Sequence, residues 1–321
     1  MKKNTNFFGL LISLAVIAYV LVKLDWQTVY TSFRTIDLHW LVAAFGVYLF
    51  NYVLRTARFR ILLNLDEIPF QQLFGVTNLY GMYQNLMPAK SGELSYPILL
   101  KSRLNVPLPT STATLITARF FDFATVALFL PPVLVTYWDQ IHPWVRTGAL
   151  LFVGGVFLSG IGLIWIIRNP ARTKQIQPIN TSSHPLVIRL WNALVQLIGS
   201  MRAIDQRRGY LRLWLLTIAI WFCVLTYFYF ILLSLGESLS YLHVMVISII
   251  MVPMTLLPIQ GFANLGTHEI GWAAAFTLFG YSKAAALNIA VSSHIIWLFF
   301  VLLLGALGLL LLRDKPSNKY A

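Results

Sequence analysis

Asn85-Leu86-Met87-Pro88-Ala89-Lys90-Ser91-Gly92-Glu93 and Leu257-Pro258-Ile259-Gln260-Gly261-Phe262-Ala263-Asn264-Leu265-Gly266-Thr267-His268-Glu269 are polar, proline-broken stretches in an otherwise apolar chain. In a soluble protein both would be surface loops. At membrane depth, irregular backbone survives only where protein or a water-filled cavity satisfies its N–H and C=O groups. Broken apolar segments in corresponding positions of two halves point to a transport site. Each stretch ends in a glutamate.

Composition places the chain in a membrane. Its 321 residues are 58% hydrophobic and 11% charged, with mean hydropathy +0.72, against about 25% charged in soluble domains. A spanning helix needs about 20 mostly apolar residues. Strong runs are Phe7–Val22, His39–Leu63, Thr110–Tyr137, Thr147–Ile167, Leu211–Leu235 and Ala284–Leu312. Weaker ones are Phe70–Leu86, Leu94–Leu100, Tyr241–Leu257 and Ile270–Gly280. Lys2-Lys3 before an apolar run resembles a signal peptide, but no clean small-residue cleavage site follows, so this segment reads as an uncleaved first helix. Cys223 is the single cysteine and excludes an intrachain disulfide.

Lys and Arg accumulate in cytoplasmic loops. With the N-terminus inside and six crossings, 18 of the 24 basic residues fall on the cytoplasmic side and 4 outside. Both termini are therefore expected in the cytoplasm of a multi-pass protein of the cell (plasma or inner) membrane. The net charge of +13 sits at the ends of apolar helices. It serves topology and attraction to anionic headgroups, and nucleic acid is not an expected partner.

The expected fold is all-α: a polytopic integral membrane helical bundle with two re-entrant, broken-helix hairpins in an inverted-repeat-like arrangement. Residues 70–103 must begin and end on the cytoplasmic side, and residues 241–283 on the outer side, so the hairpins enter from opposite faces. The chain reads as a single membrane domain, 1–321. Its first half runs to about 167, a cytoplasmic loop and amphipathic helix over about 168–209, the second half over about 210–312, and a short tail over 313–321. Leu186, Leu190, Leu194, Leu197 and Met201 recur at helical spacing opposite Arg189, Asn192, Gln196 and Ser200. That pattern predicts a helix lying on the membrane surface.

Charged residues inside spans are costly and usually face a bundle interior or a cavity. Arg55 and Arg58 are three apart, on one helix face. Either both snorkel to the interface, or their planar forks make a phosphate site. Arg119 and Asp122, also three apart, read as an intrahelical ion pair that fixes packing, or as a brace for Glu93 or for a headgroup in the cavity. Lys90 and His268 stand beside Glu93 and Glu269. Those two glutamates read as N-caps of half-helices, as carboxylates lining a headgroup cavity, or as both. Pro88, Gly92, Pro258 and Gly266 are the expected hinge positions of the half-helices.

Enzyme signatures fail. His268-Glu269 begins like the zinc protease motif, but Trp272 stands where its second histidine belongs. The six histidines lack metal-ligand spacing, and no phosphate loop or nucleophile elbow occurs. His294 reads as a hydrogen-bonded helix contact. No catalytic residue, metal or cofactor is expected.

Arg55-Thr56-Ala57-Arg58-Phe59-Arg60, Asn85 to Glu93, Arg119-Phe120-Phe121-Asp122 and Asn264 to Glu269 together resemble the flippase-like transmembrane family typified by the membrane half of bacterial lysylphosphatidylglycerol synthases. Tyr96 departs from an arginine common there, Ala89 from a glycine, and Ala263 and Asn264 from glycines. The resemblance implies a helical protein with re-entrant hairpins that moves lipids between leaflets, without the soluble domain that joins lysine to phosphatidylglycerol. The expected cargo is a polar-headgroup lipid: a phospholipid, aminoacyl-phospholipid, glycolipid or polyprenyl-linked lipid. Expected partners are membrane lipids with polar or anionic headgroups; a lipid-modifying enzyme or glycosyltransferase partner and a homo-oligomer are compatible with the sequence. Two alternatives stand beside transport. One is an intramembrane transferase acting on a lipid-linked substrate, with Asp25 or Asp37 as its outer acidic residue. The other is a non-transporting membrane partner of a lipid-modifying enzyme.

Overall fold

The computed structural model describes residues 25–65, 67–169, 185–206, 209–255 and 261–313. Eleven α-helices and two 3-10 turns, with no strand, make up these residues. They are α1 (Trp26–Arg34), α2 (Leu38–Leu63), α3 (Phe70–Leu86), a 3-10 turn over Pro88–Leu94, α4 (Ser95–Leu104), α5 (Leu108–Thr136), α6 (Pro143–Arg168), α7 (Pro185–Gln206), α8 (Tyr210–Ser234), α9 (Tyr241–Thr255), a 3-10 turn over Phe262–Asn264, α10 (Thr267–Thr277) and α11 (Lys283–Leu311). Five of them, α2, α5, α6, α8 and α11, are long and apolar enough to cross a membrane. The expected first span Phe7–Val22 and the hinge Pro258 lie outside the described residues.

Element order repeats. A long helix, a shorter helix, a 3-10 turn, a short helix and a second long helix run from α2 to α5, and again from α8 to α11. The leading long helices pack on each other, with Asn51 Nδ2 donating to the Ile220 carbonyl at 2.8 Å. α3 packs against α11 across small residues. A Cβ on Gly308 would lie 2.8 Å from the Gly75 carbonyl oxygen, and one on Gly305 would meet Met82. Small residues are what let helix backbones approach closely in lipid, where no hydrophobic force drives helices together.

Two apolar clusters are the largest among the described residues. One gathers Tyr48, Tyr52, Phe228, Trp272, Trp297 and Phe300 around the second half. The other gathers Phe59, Leu73, Tyr80, Tyr96 and Leu100 around the first. α6 stays at the periphery. Only Ala149 and Leu163 are buried on it, while Leu151, Leu158, Ile161 and Trp165 are exposed. An apolar surface of that extent on a 26-residue helix fits lipid contact.

α7 is helical as its periodicity predicts. Leu197, Ile198 and Met201 bury against Phe121, Leu163 and Leu213, so its apolar face docks on the bundle, while Leu194 and Trp191 remain exposed.

Candidate functional site

The two broken stretches meet. Their 3-10 turns pack together, and Asn264 Nδ2 donates to the Asn85 carbonyl at 3.4 Å. The first stretch folds back on α3. Gly92 lies so close to the Tyr83 carbonyl and to Gln84 Cα that no side chain fits there. That approach carries the next residue, Glu93, over α3, where its Oε2 accepts from the Tyr80 hydroxyl at 2.6 Å.

Arg119, on α5, completes this group. Its Nη2 lies 2.6 Å from Glu93 Oε1 and 2.6 Å from the Tyr80 hydroxyl. Its Nη1 reaches Asp122 Oδ2 at 3.3 Å. Asp122 has a closer partner in Arg58, from α2, at 2.6 Å and 3.3 Å on its two oxygens. So the intrahelical Arg119–Asp122 pair exists but is the longest link of a chain, Arg58–Asp122–Arg119–Glu93, that ties α2, α5 and the first 3-10 turn together. Arg58 and Asp122 are 2% and 8% exposed, whereas Arg119 and Glu93 are 25% and 23% exposed. The inner pair is sealed and structural. The outer pair can be reached.

Snorkelling therefore fails for Arg58, whose guanidinium is held by a buried carboxylate. Arg55 takes a different course: its Nε donates to Asn51 Oδ1 at 2.8 Å and its guanidinium lies 5.7 Å from the Tyr52 ring centre. It lies within electrostatic range of Asp122, Tyr80 and Tyr227. Lys90, with φ 60, is half-buried within range of Arg119 and Glu93. Among the described residues no carboxylate pairs with Arg55 or Lys90. Tyr96, in place of the expected arginine, stacks on Phe59 at 4.4 Å and adds no charge.

The glutamates, alike in sequence, do different jobs. Glu93 caps no helix. Glu269 does: its Oε2 accepts from the Gly266 N–H at 2.6 Å, at the start of α10. Its Oε1 lies 2.6 Å from His294 Nδ1 on α11. His268 stacks on His294 at 4.1 Å and on Trp297 at 5.6 Å. The hinge glycine Gly266 has φ 84, where glycine is favoured. Pro88 opens the first 3-10 turn, where its missing N–H is not needed.

Tyr80, Asn51 and His294 as a partner of Glu269 were not marked by any motif. Asp25 and Asp37, the acids of the transferase alternative, are occupied as caps of α1 and α2, accepting from Gln27 and Thr28 and from His39. No group of three or more His, Cys, Asp or Glu side chains among the described residues is arranged to hold a metal.

The family model described as "Lysylphosphatidylglycerol synthase TM region" matches residues 6–305. A curated relative, "Glycosyltransferase AglD" of Haloferax volcanii, is 24% identical over 331 aligned positions, covering 91% of this chain and 52% of the relative. The chain thus spans about half the length of that relative.

Proposed function

We propose that this chain, which belongs to the lysylphosphatidylglycerol synthase transmembrane-region family, moves a polar-headgroup lipid between the leaflets of a membrane. The observation that carries the reading is a charge imbalance among the cations of α2, α5 and the first 3-10 turn. Arg58 and Arg119 are matched by Asp122 and Glu93; Arg55 and Lys90 have no carboxylate partner among the described residues. Half-buried cations without counter-ions favour an anion. A lipid phosphate supplies one, and arginine's fork suits its oxygens. The acyl chains remain in the bilayer while the headgroup crosses along the reachable Arg119–Glu93 pair, with Glu93 able to receive an amine-bearing headgroup.

In this reading the broken stretches are re-entrant hairpins entering from opposite faces, both termini are cytoplasmic, and the membrane is the cell membrane. A lipid-modifying or sugar-transferring enzyme would be a fitting partner, because it makes or consumes the lipid on one face. The support for opposed entry is the repeated element order together with the distribution of basic residues.

The test is reconstitution in liposomes with a labelled phosphatidylglycerol and a labelled neutral glycolipid. Protein-dependent translocation is expected to fall at least tenfold for the phosphate-bearing lipid when Arg55 and Lys90 are both replaced by Gln. Unchanged translocation by that variant sinks the site, and so does normal translocation by Glu93→Gln/Glu269→Gln. The transferase reading draws on the printed name of the Haloferax relative; formation of a glycosylated product by the purified chain from a lipid-linked donor would favour it instead.

A further inference from the structure

We propose that Glu93–Arg119 in the first half and Glu269–His294 in the second are equivalent links, and that the chain seals one while it opens the other. The halves match residue by residue around them. Arg119 follows the first residue of α5 by eleven positions, and His294 follows the first residue of α11 by eleven. The glutamates precede these partners by 26 and 25 residues, and each contact is 2.6 Å long. Directly after each glutamate comes an exposed aliphatic side chain, Leu94 or Ile270. Three residues after it comes a buried aromatic one, Tyr96 or Trp272. The register holds one turn further, where Leu100 and Phe276 are both buried. On the long helices, buried Ala118, Phe121 and Val126 stand to Arg119 as buried Ser293, Ile296 and Val301 stand to His294.

Equivalent in position, the links differ in access. The side chains of Arg119 and Glu93 are 25% and 23% exposed, whereas those of His294 and Glu269 are 1% and 3% exposed, under the rings of His268 and Trp297. Two halves built on one plan each have the other's arrangement open to them. Exchanging the arrangements gives a second conformation of the same chain, with Glu269 reachable and Glu93 sealed. In transporters made of inverted repeats, one repeat moves against the other around a fixed site in this way. The sidedness of the exchange rests on the transport reading and its opposed hairpins: each link opens to its own face.

The joint that has to move is the seam between the two 3-10 turns. It carries a long hydrogen bond, from Asn264 Nδ2 to the Asn85 carbonyl at 3.4 Å. Each turn also holds side-chain-bearing residues in the left-handed region: Lys90 at φ 60 in the first, Ala263 at 53 and Asn264 at 58 in the second. Such residues persist only where their surroundings hold them, and they cluster at switch regions. The links themselves lie within single halves, from the first turn to α5 and from α10 to α11, so an exchange does not have to break them. Between the halves, α2 packs on α8 and α3 on α11, and packed helices accommodate such changes by small sliding.

The test reads access to the two carboxylates, apart from transport. A membrane-impermeant carbodiimide and an amine tag are added to one face at a time of vesicles that hold the parent protein in one orientation, and peptide mass spectrometry follows Glu93 and Glu269. The expected result is labelling of Glu93 from one face and of Glu269 from the other. Glu269 should react roughly 10- to 1,000-fold more slowly, as for a second conformation populated at about 0.1–10%. Joining Asn85→Cys to Asn264→Cys with a short bis-maleimide, in a Cys223→Ala background, fixes the seam; it should abolish labelling of Glu269 and spare that of Glu93. Three results overturn the proposal: labelling of both from one face, no labelling of Glu269 over about a thousandfold longer exposure than Glu93 needs, or labelling of Glu269 unaffected by the joined seam. If the double-cysteine protein does not fold, the sidedness in the parent decides. Opposite-face labelling in a protein that moves no lipid keeps the exchange and removes the transport reading. Lipid movement with Glu269 always shielded keeps transport and overturns the exchange.

Discussion

Arg58 on α2 holds both oxygens of Asp122 on α5, at 2.6 Å and 3.3 Å, and the pair is almost wholly buried. Such a pair is expensive to make and more expensive to break, because removing one partner strands the other in a low-dielectric interior. Arg58→Met or Asp122→Leu alone should therefore destabilise the protein by about 3–5 kcal/mol. The double replacement should cost clearly less than either single change. Thermal unfolding of the detergent-solubilised protein, arranged as a double-mutant cycle, measures it. Equal losses in the double and single variants would show that packing, not charge, decides.

Arg119 differs in being reachable. One guanidinium spans Glu93, Tyr80 and Asp122 at once. A lysine's ammonium is a point donor without that fork. Arg119→Lys should keep the fold, with a stability loss of about 1–2 kcal/mol from the bonds it cannot remake. Lipid translocation in liposomes should nevertheless fall at least tenfold. Tyr80→Phe, which removes one hydroxyl from the same group, should cost roughly 1 kcal/mol and weaken translocation less.

Much of this arrangement was legible in the sequence, and what was not has a physical cause. The five described spans follow from apolarity alone, and Phe70–Leu86 was bounded correctly because Pro69 and the Met87-Pro88 pair mark its ends. Of the ionic partners, Glu93 beside Arg119 was among the readings the sequence allowed, whereas Arg58 beside Asp122 was not. Spacing of three on one helix suggests Arg119 with Asp122, yet the shortest contacts of each come from another element. His294 is 25 residues from Glu269 in the chain, and no local pattern joins them. Nor could matching Gly-and-Glu signatures reveal that one carboxylate caps a helix and the other serves an arginine. That difference depends on which helix lies beside each, and helix packing is a property of the assembled bundle.

Glycines separate into two kinds. A methyl group on Gly92 would strike the Tyr83 carbonyl and sit 2.6 Å from Gln84 Cα, backbone that cannot swing aside. Gly92→Ala should cost about 1–3 kcal/mol and displace Glu93 from Tyr80. Gly154 on α6 faces open space, so Gly154→Ala should be neutral or stabilising by up to about 1 kcal/mol through helix propensity. Melting temperatures of the two variants, measured side by side in one detergent, check the contrast. A comparable loss in both would mean that the Gly92 contact is relieved by movement of the whole 3-10 turn.

At the ends of the second repeat, Tyr281 before α11 donates to Glu237 Oε2 at 3.0 Å. Burial, and then this bond, push the Tyr281 hydroxyl up to about 12, while burial raises the Glu237 carboxyl and the tyrosine bond draws it back. For Tyr281 the folded value lies above the ordinary one near 10.0, so the contribution of its protonated form is complete below pH 10 and is lost as pH rises towards 12. Tyr281→Phe should be less stable than the parent at pH 8, because Glu237 is then ionised without its donor. The gap should close between pH 10 and 12, as the parent's own tyrosine ionises beside the carboxylate. Unfolding midpoints of both proteins across that window give the answer: a gap that stays constant to pH 12 would mean that this hydrogen bond contributes nothing to the folded state.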